Sequence, residues 1–254
     1  MSVLQWIRSI LYTIIMPLSL ILYVGPGMIL YFFPYRWRYT YIAQWPAIQT
    51  WLLKVMCGIR YEVEGWENMP ETASIILAKH QSTWETFAFV KLFPQQTYVF
   101  KRELLWLPIF GWALAMLHPI AIDRASGRKA VEQLISRGRE RLDEGIWVIV
   151  FPEGTRMETN TRGKYKLGGA ILATETGYPV VPVAHNAGSF WPRKQIYKVP
   201  GTVRVVIGPV IESKGRKADE VMADAEAWIE GKMQQLEGRD GPAELVIRNH
   251  KKKR

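Results

Sequence analysis

The stretch Ser74-Ile75-Ile76-Leu77-Ala78-Lys79-His80-Gln81-Ser82-Thr83-Trp84-Glu85 passes from an unbroken apolar run into a polar turn, and then into a helix-like segment over residues 85–92. A short apolar run rich in branched residues reads as a strand buried on both faces. The same passage recurs along the chain. Strand-like runs fall at residues 59–63, 74–78, 97–100, 119–122, 147–151, 180–184 and 203–207, and helix-like segments at 85–92, 107–116, 128–143, 167–176 and 219–236. This alternation predicts an α/β domain over residues 59–247 with a largely parallel sheet flanked by helices.

Loops that follow parallel strands share one edge of the sheet, where open α/β folds hold their ligands. His80 follows the second run, Lys101 and Arg102 the third, and Asp123 and Arg124 the fourth. Glu153, Gly154, Thr155 and Arg156 follow the fifth, and His185 the sixth. The chemistry-bearing residues are therefore expected together at the carboxyl edge.

A neutral hydroxyl is a poor nucleophile, and a histidine oriented by a carboxylate is a base able to activate it. His80 and Glu85 do not share a face of a straight helix. They meet only if His80 lies in the turn and Glu85 in the first helical turn. Ser82-Thr83-Trp84-Glu85 also has the form of a capping box, with Glu85 bonding the Ser82 amide; one carboxylate can serve both partners. In Phe151-Pro152-Glu153-Gly154-Thr155-Arg156, Gly154 allows a sharp turn, Thr155 offers a hydroxyl and Arg156 offers a two-pronged grip on phosphate. Glu153 is placed to orient these cations or to bond a substrate hydroxyl. A plain surface turn with an ion pair is the competing reading. Singly, Lys101, Arg102, Asp123 and Arg124 are ordinary surface charges; gathered, they make a positive pocket for a phosphomonoester. Arg162, Lys164 and Lys166 form a weaker basic patch, and His118 and His185, with no partner nearby in sequence, read as structural. Serine-hydrolase elbows, zinc spacings and nucleotide-binding glycine loops are absent from the sequence.

At 254 residues and 48% hydrophobic the chain can build one large domain with a short appendage. A net charge of +10 and a pI near 9.7 point to an anionic partner, nucleic acid or a phospholipid surface. The basic tail 248–254 reads as a solvated end with a contact to anionic lipid open to it; no nucleic acid is expected, since nothing else in the chain supports it. The single cysteine, Cys57, excludes an internal disulfide and reads as a small buried apolar residue.

No Asp or Glu precedes Glu62, and no charge lies between Arg8 and Arg36. At ~1.5 Å per residue, residues 9–35 are long enough to cross a bilayer. Pro17 and Gly25-Pro26-Gly27 favour a bend, so one span and a two-helix hairpin dipping into one leaflet are both compatible. Trp6, Trp37, Trp45 and Trp51 suit the headgroup layer. A secretory signal fits poorly, because the run is long and no small-residue cleavage site precedes Tyr35-Arg36-Trp37-Arg38. Residues 1–58 are thus expected to be a membrane-embedded helical segment. By the positive-inside rule Arg36, Arg38 and Lys54 put the following region on the cytoplasmic side, although Arg8 blunts the asymmetry; the membrane expected is a bacterial inner one.

At these residues the chain resembles the glycerolipid acyltransferases, specifically the 1-acylglycerol-3-phosphate acyltransferases. Four blocks appear in order: His80 to Glu85; Lys101, Arg102, Leu107-Pro108, Phe110-Gly111 and Asp123-Arg124; Phe151 to Arg156; and Val180-Val181-Pro182-Val183. The resemblance spans roughly residues 60 to 210. One departure stands out, Glu85 in place of the family's usual aspartate. The resemblance implies that His80 deprotonates the sn-2 hydroxyl of lysophosphatidic acid, which attacks the thioester of acyl-CoA or acyl-carrier protein. Arg156, Lys101 and Arg102 would hold the phosphate, with Glu153 helping to position it. No metal or redox cofactor is implied. Acyl transfer to a different lyso-lipid, and anionic-lipid binding without catalysis, are the alternatives.

Overall fold

The computed structural model describes residues 2–247 except the side chain of Arg124, so the basic tail 248–254 lies outside the described residues. Seven strands make one sheet: β1 Ile59–Glu64, β2 Ile75–Ala78, β3 Gln96–Lys101, β4 Ile120–Ile122, β5 Trp147–Val150, β7 Val180–His185 and β8 Gly201–Ile207. Their order is β1-β8-β7-β2-β5-β3-β4. A small separate ladder pairs β6 Thr161–Arg162 with β9 Glu244–Leu245. Strands β7, β2, β5, β3 and β4 run parallel, while β8 and β1, parallel to each other, run opposite to them. The expectation of a largely parallel sheet holds, and the reversal has a local cause. A parallel neighbour needs a long crossover, usually a helix. Residues 186–200, which join β7 to β8, contain only the short 3-10 turn Ala187–Ser189.

Alternation along each strand builds two cores. From β2, Ile76 and Ala78 face a cluster that includes Trp84, Phe87 and Phe89 of α3 Trp84–Leu92 and Leu53 of α2 Tyr35–Cys57. Ile75 and Leu77 face the opposite cluster, filled by Leu134 of α5 Arg128–Asp143, Leu172 of α6 Gly168–Thr176 and Ile229 of α7 Ala218–Glu237. The helix expected at 107–116 is shorter: α4 is Phe110–Ala115, preceded by a 3-10 turn at Arg102–Trp106. Pro108 biases Leu107 away from helical geometry, and Ile109 takes a positive φ of 67°.

The N-terminal helix α1, Val3–Gly27, pairs antiparallel with α2. The bend expected at Gly25-Pro26-Gly27 does not occur there. The helix continues to Gly27, a 3-10 turn follows at Met28–Phe32, and the chain reverses at Phe33-Pro34. Packing explains this: a Cβ on Gly27 would lie 2.5 Å from the Tyr41 ring of α2. Tyr23 and Tyr41 each donate a hydroxyl hydrogen bond to the other's carbonyl, at 2.8 and 2.9 Å, and Trp45 and Gln49 both donate to Ser19. The amphipathicity of α1 is inverted. Gln5 and Ser9 are buried against the domain, whereas Ile7, Leu11, Ile14, Leu18 and Leu22 face outward, Leu22 76% exposed. Val3–Phe32 is long and apolar enough to cross a membrane.

Gly65 closes the turn after β1 at φ +84°, and a Cβ there would lie 2.1 Å from the Ile207 carbonyl oxygen of β8. Gly65→Ala is expected to cost about 2–4 kcal/mol of stability, read by denaturation in detergent. A parental melting curve would contradict this account of the β1–β8 edge.

Candidate active site

The β2–α3 turn positions the first pair. Strand β2 ends at Ala78 and α3 starts at Trp84, so His80 lies in the turn and Glu85 in the first helical turn. His80 Nδ1 is 2.8 Å from Glu85 Oε1. The same carboxylate accepts the amides of Gln81 at 2.9 Å and Ser82 at 2.8 Å. Glu85 is completely buried. Burial raises its pKa, but His185, the hydrogen bond and charge of His80, and the Ser82 amide outweigh it, leaving the carboxyl below its ordinary range. An ionised Glu85 accepts the Nδ1 proton, so Nε2 of His80 keeps its lone pair for the cavity that His80 lines. The His80 ring stacks on Phe151, centroids 4.0 Å apart, which fixes its plane.

The loop after β5 grips the same residue from both sides. His80 donates its amide to Glu153 Oε2 at 3.3 Å, and its carbonyl accepts from Met157 at 2.7 Å. Gly154 sits at φ +67° with its amide bonded to the Phe151 carbonyl, a turn that favours glycine. Arg156 Nη1 donates to Thr83 Oγ1. Glu153 does not take the phosphate-binding place expected of it. Its carboxylate points inward, accepting from Lys79 Nζ at 2.8 Å and the Gly163 amide at 2.8 Å. Burial pushes its pKa up, offset only in part by Lys79 and Gly163. The buried Lys79 ammonium and the Gly163 amide give the physical reason for this inward turn, since a buried carboxylate needs donors.

Lys79 was not singled out in the sequence, yet it lies under the site with its ammonium fully buried. It donates to Glu153, to Glu230 of α7 at 2.8 Å and to the Thr161 carbonyl at 3.1 Å, which uses all three of its protons. Tyr165 donates to the same Glu230 oxygen at 2.9 Å. His185 is also buried. Its Nδ1 accepts from the Ala187 amide and its Nε2 donates to the Lys79 carbonyl at 2.9 Å, while burial lowers its pKa.

His80 opens on a cavity of about 420 Å³ between the sheet edge and the α1–α2 hairpin. Its walls are mostly apolar, with Leu20, Tyr23, Trp45, Phe87, Phe100 and Phe110 among them, and its polar end carries His80, Lys101, Gly154, Thr155, Arg156 and Arg193. Arg102 and Asp123 do not join this group. Successive residues at a strand end point to opposite sides. Lys101 therefore reaches the cavity, while Arg102 turns into a separate hollow with Arg137 and Arg141, 3.6 Å from Asp123. Asp123 caps the Ala125 amide at 2.9 Å instead of facing the site. The side chain of Arg124 lies outside the described residues. His118 accepts from Arg38 at 2.8 Å and stacks on Tyr35, away from His80. Among the described residues no cluster of His, Cys, Asp and Glu is placed to hold a metal.

A family model for Acyltransferase matches residues 60–186. The chain is 45% identical over 244 residues to the 1-acyl-sn-glycerol-3-phosphate acyltransferase of Pseudomonas aeruginosa, covering 93% of this chain and 94% of that one. The chain belongs to the acyltransferase family. It is also 29% identical over 177 residues to the human 1-acyl-sn-glycerol-3-phosphate acyltransferase alpha, covering 68% of this chain and 62% of the human one. The crystal structure of the 1-acyl-sn-glycerophosphate (LPA) acyltransferase of Thermotoga maritima matches with a TM-score of 0.75 at 23% identity, over 93% of this chain and 99% of that one. That likeness shows the fold. The family resemblance read from the four sequence blocks is confirmed, and the chain is an acyltransferase.

Removing the Lys79 charge leaves the buried Glu153 carboxylate and the half-buried Glu230 carboxylate without their shared cation. Lys79→Met is expected to cost about 3–5 kcal/mol, with part of the loss recovered by adding Glu153→Gln. Melting curves of the purified proteins check this, and a parental curve for the single variant would contradict a structural role for the ion network.

Proposed function

We propose that the chain transfers an acyl group from the thioester of acyl-CoA or acyl-carrier protein to the sn-2 hydroxyl of 1-acylglycerol-3-phosphate, giving phosphatidic acid. The observation that carries this reading is the 2.8 Å His80–Glu85 contact at the polar end of an apolar cavity that also holds Arg156 and Lys101. The acceptor is the one named for the relative at 45% identity.

His80 Nε2 takes the hydroxyl proton as the oxygen attacks the thioester carbonyl. A carbon–oxygen bond forms, the carbon–sulfur bond breaks, and the imidazolium returns its proton to the departing thiolate. Glu85 holds the ring's tautomer and offsets the positive charge while it lasts. Arg156, with Lys101, holds the acceptor's phosphate, and Thr155 supplies a hydroxyl beside it. The apolar walls take hydrocarbon. Glu153 and Lys79 act from below by fixing the His80 backbone.

The outward apolar face of α1 supports a membrane setting, since a soluble protein rarely exposes so long an apolar stripe. A bilayer on that face would lie beside the cavity, whose wall includes Leu20 and Val24 of the same helix, and would store both hydrocarbon substrates. The bacterial source of the relative at 45% identity supports an inner-membrane location, with the site on the cytoplasmic side where acyl thioesters are made.

The test is transfer of a labelled long-chain acyl group to lysophosphatidic acid by the detergent-purified protein, with CoA and carrier-protein donors compared. The parent is expected to form phosphatidic acid and His80→Ala to form none. Glu85→Gln is expected to lose about tenfold to a thousandfold in rate, because an amide neither fixes the tautomer nor stabilises the imidazolium. Parental turnover in His80→Ala would remove His80 from the mechanism. A parent inactive with both donors but active on another lyso-lipid would reassign the acceptor.

A further inference from the structure

The charge of the cavity is one-sided. Lys101, Arg156 and Arg193 line it, and no Asp or Glu does. Lys101 is half-exposed and already ion-paired with Glu103 at 2.7 Å, so Arg156 and Arg193 carry most of the cavity's capacity for a further anion. Strand order gives them different sides. His80 follows β2, Arg156 follows β5 and Lys101 ends β3, whereas Arg193 comes from the connection after β7, which flanks β2 on its other side.

That connection is fastened to the His80 turn. Ser82 Oγ donates to the Trp191 carbonyl at 2.7 Å, and the neighbouring Thr83 Oγ1 accepts from Arg156. Two adjacent hydroxyls of one turn thus tether the two arginine-bearing loops on either side of His80. The buried Trp191 ring packs edge-on against Tyr12 of α1, with centroids 5.7 Å apart. Lys198, further along the same connection, places its ammonium 4.8 Å from the Trp191 ring and donates to Thr13 of α1 at 2.7 Å. Arg193 is therefore presented by a packed loop held at both the site and the helix.

We propose that Arg193 is a substrate-binding residue that, with Arg156, grips the phosphomonoester of the lyso-lipid acceptor from the β7 side of His80. This rests on the acceptor proposed above. In that acceptor the phosphate and the reacting hydroxyl are only a few bonds apart, so a group holding the phosphate must line the same cavity as His80. The nearest phosphate of a CoA or carrier-protein thioester sits at the far end of the pantetheine arm, well away from the reacting carbonyl. A phosphomonoester is close to a dianion at neutral pH and accepts two planar guanidinium forks from opposite sides. Held between them, the phosphate sets which hydroxyl meets His80, and Arg193 becomes a determinant of specificity for phosphate-bearing acceptors.

Steady-state kinetics of the full chain in detergent test this, with lysophosphatidic acid and monoacylglycerol as acceptors and the working acyl thioester as donor. Arg193→Ala is expected to raise the KM for lysophosphatidic acid about tenfold to a hundredfold, and to cut the preference for it over monoacylglycerol by a similar factor. The donor KM is expected to stay near the parent value, and Arg193→Lys to recover only part of the loss, since it lacks the fork. Arg193→Gln is scored in its place if Arg193→Ala melts below the parent. Equal losses on both acceptors, or a rise confined to the donor KM, overturn the assignment. Parental kinetics in the variants overturn the role of Arg193 alone, whereas a parent inactive on lysophosphatidic acid overturns the acceptor reading itself.

Discussion

A carboxylate removed from water must find donors, and for Glu85 those donors are the His80 ring and the amides of Gln81 and Ser82. All three can be reached only if the chain leaves β2, turns tightly and enters α3 within a few residues. The requirement shapes the turn, and the turn in turn aims His80. Ser82 and Thr83, set in the same turn, fasten the Trp191 connection and Arg156. The glutamate side chain, where an aspartate is usual, reaches both amides and imidazole from the first turn of α3.

Beneath this turn lies a second buried charge problem with a different solution. Lys79 is neutralised by Glu153 from the loop after β5 and Glu230 from α7. Removing one member of a buried pair generally costs more than the pair contributes, so these three elements are locked in mutual position. The lock has a consequence for chemistry. Glu153 also holds the His80 amide, and Met157 holds its carbonyl, so the imidazole is carried by a backbone with little freedom to drift.

The apolar cavity belongs to both halves of the chain. Its polar end is built from sheet-edge loops, and much of its far wall from α1 and α2. Because α1 turns Gln5 and Ser9 inward and its leucines and isoleucines outward, the helix is both a wall of the cavity and an apolar outer surface. Lys198 couples the two through Thr13, so the placement of α1 and the placement of the Trp191 connection are one packing decision.

Much of this was legible in the residues. The short, unbroken apolar runs announced the strands, and the His80–Glu85 pairing was legible because the partners are close in sequence and their meeting depends on a single local turn. Lys101, Gly154, Thr155 and Arg156 line one cavity because Lys101 ends β3 and the other three lie in the loop after β5, and those strands run the same way. Glu153 was misassigned, since its charge signalled a polar role while the buried Lys79 that captures it was invisible as a partner. Arg102 and Asp123 were drawn to the site by proximity to strand ends, but Arg102 turns into a separate hollow and Asp123 caps the Ala125 amide. The reversal of β8 and β1, and the arrival of Arg193 beside His80, likewise depended on which strands became neighbours. Sequence by itself determined local periodicity, the turn that joins base to carboxylate, and the apolar character of the N-terminus, because each depends on short-range spacing. Tertiary structure alone decided which buried charges meet and which cations share a cavity, because those partners are far apart in the chain and only packing brings them within bonding distance.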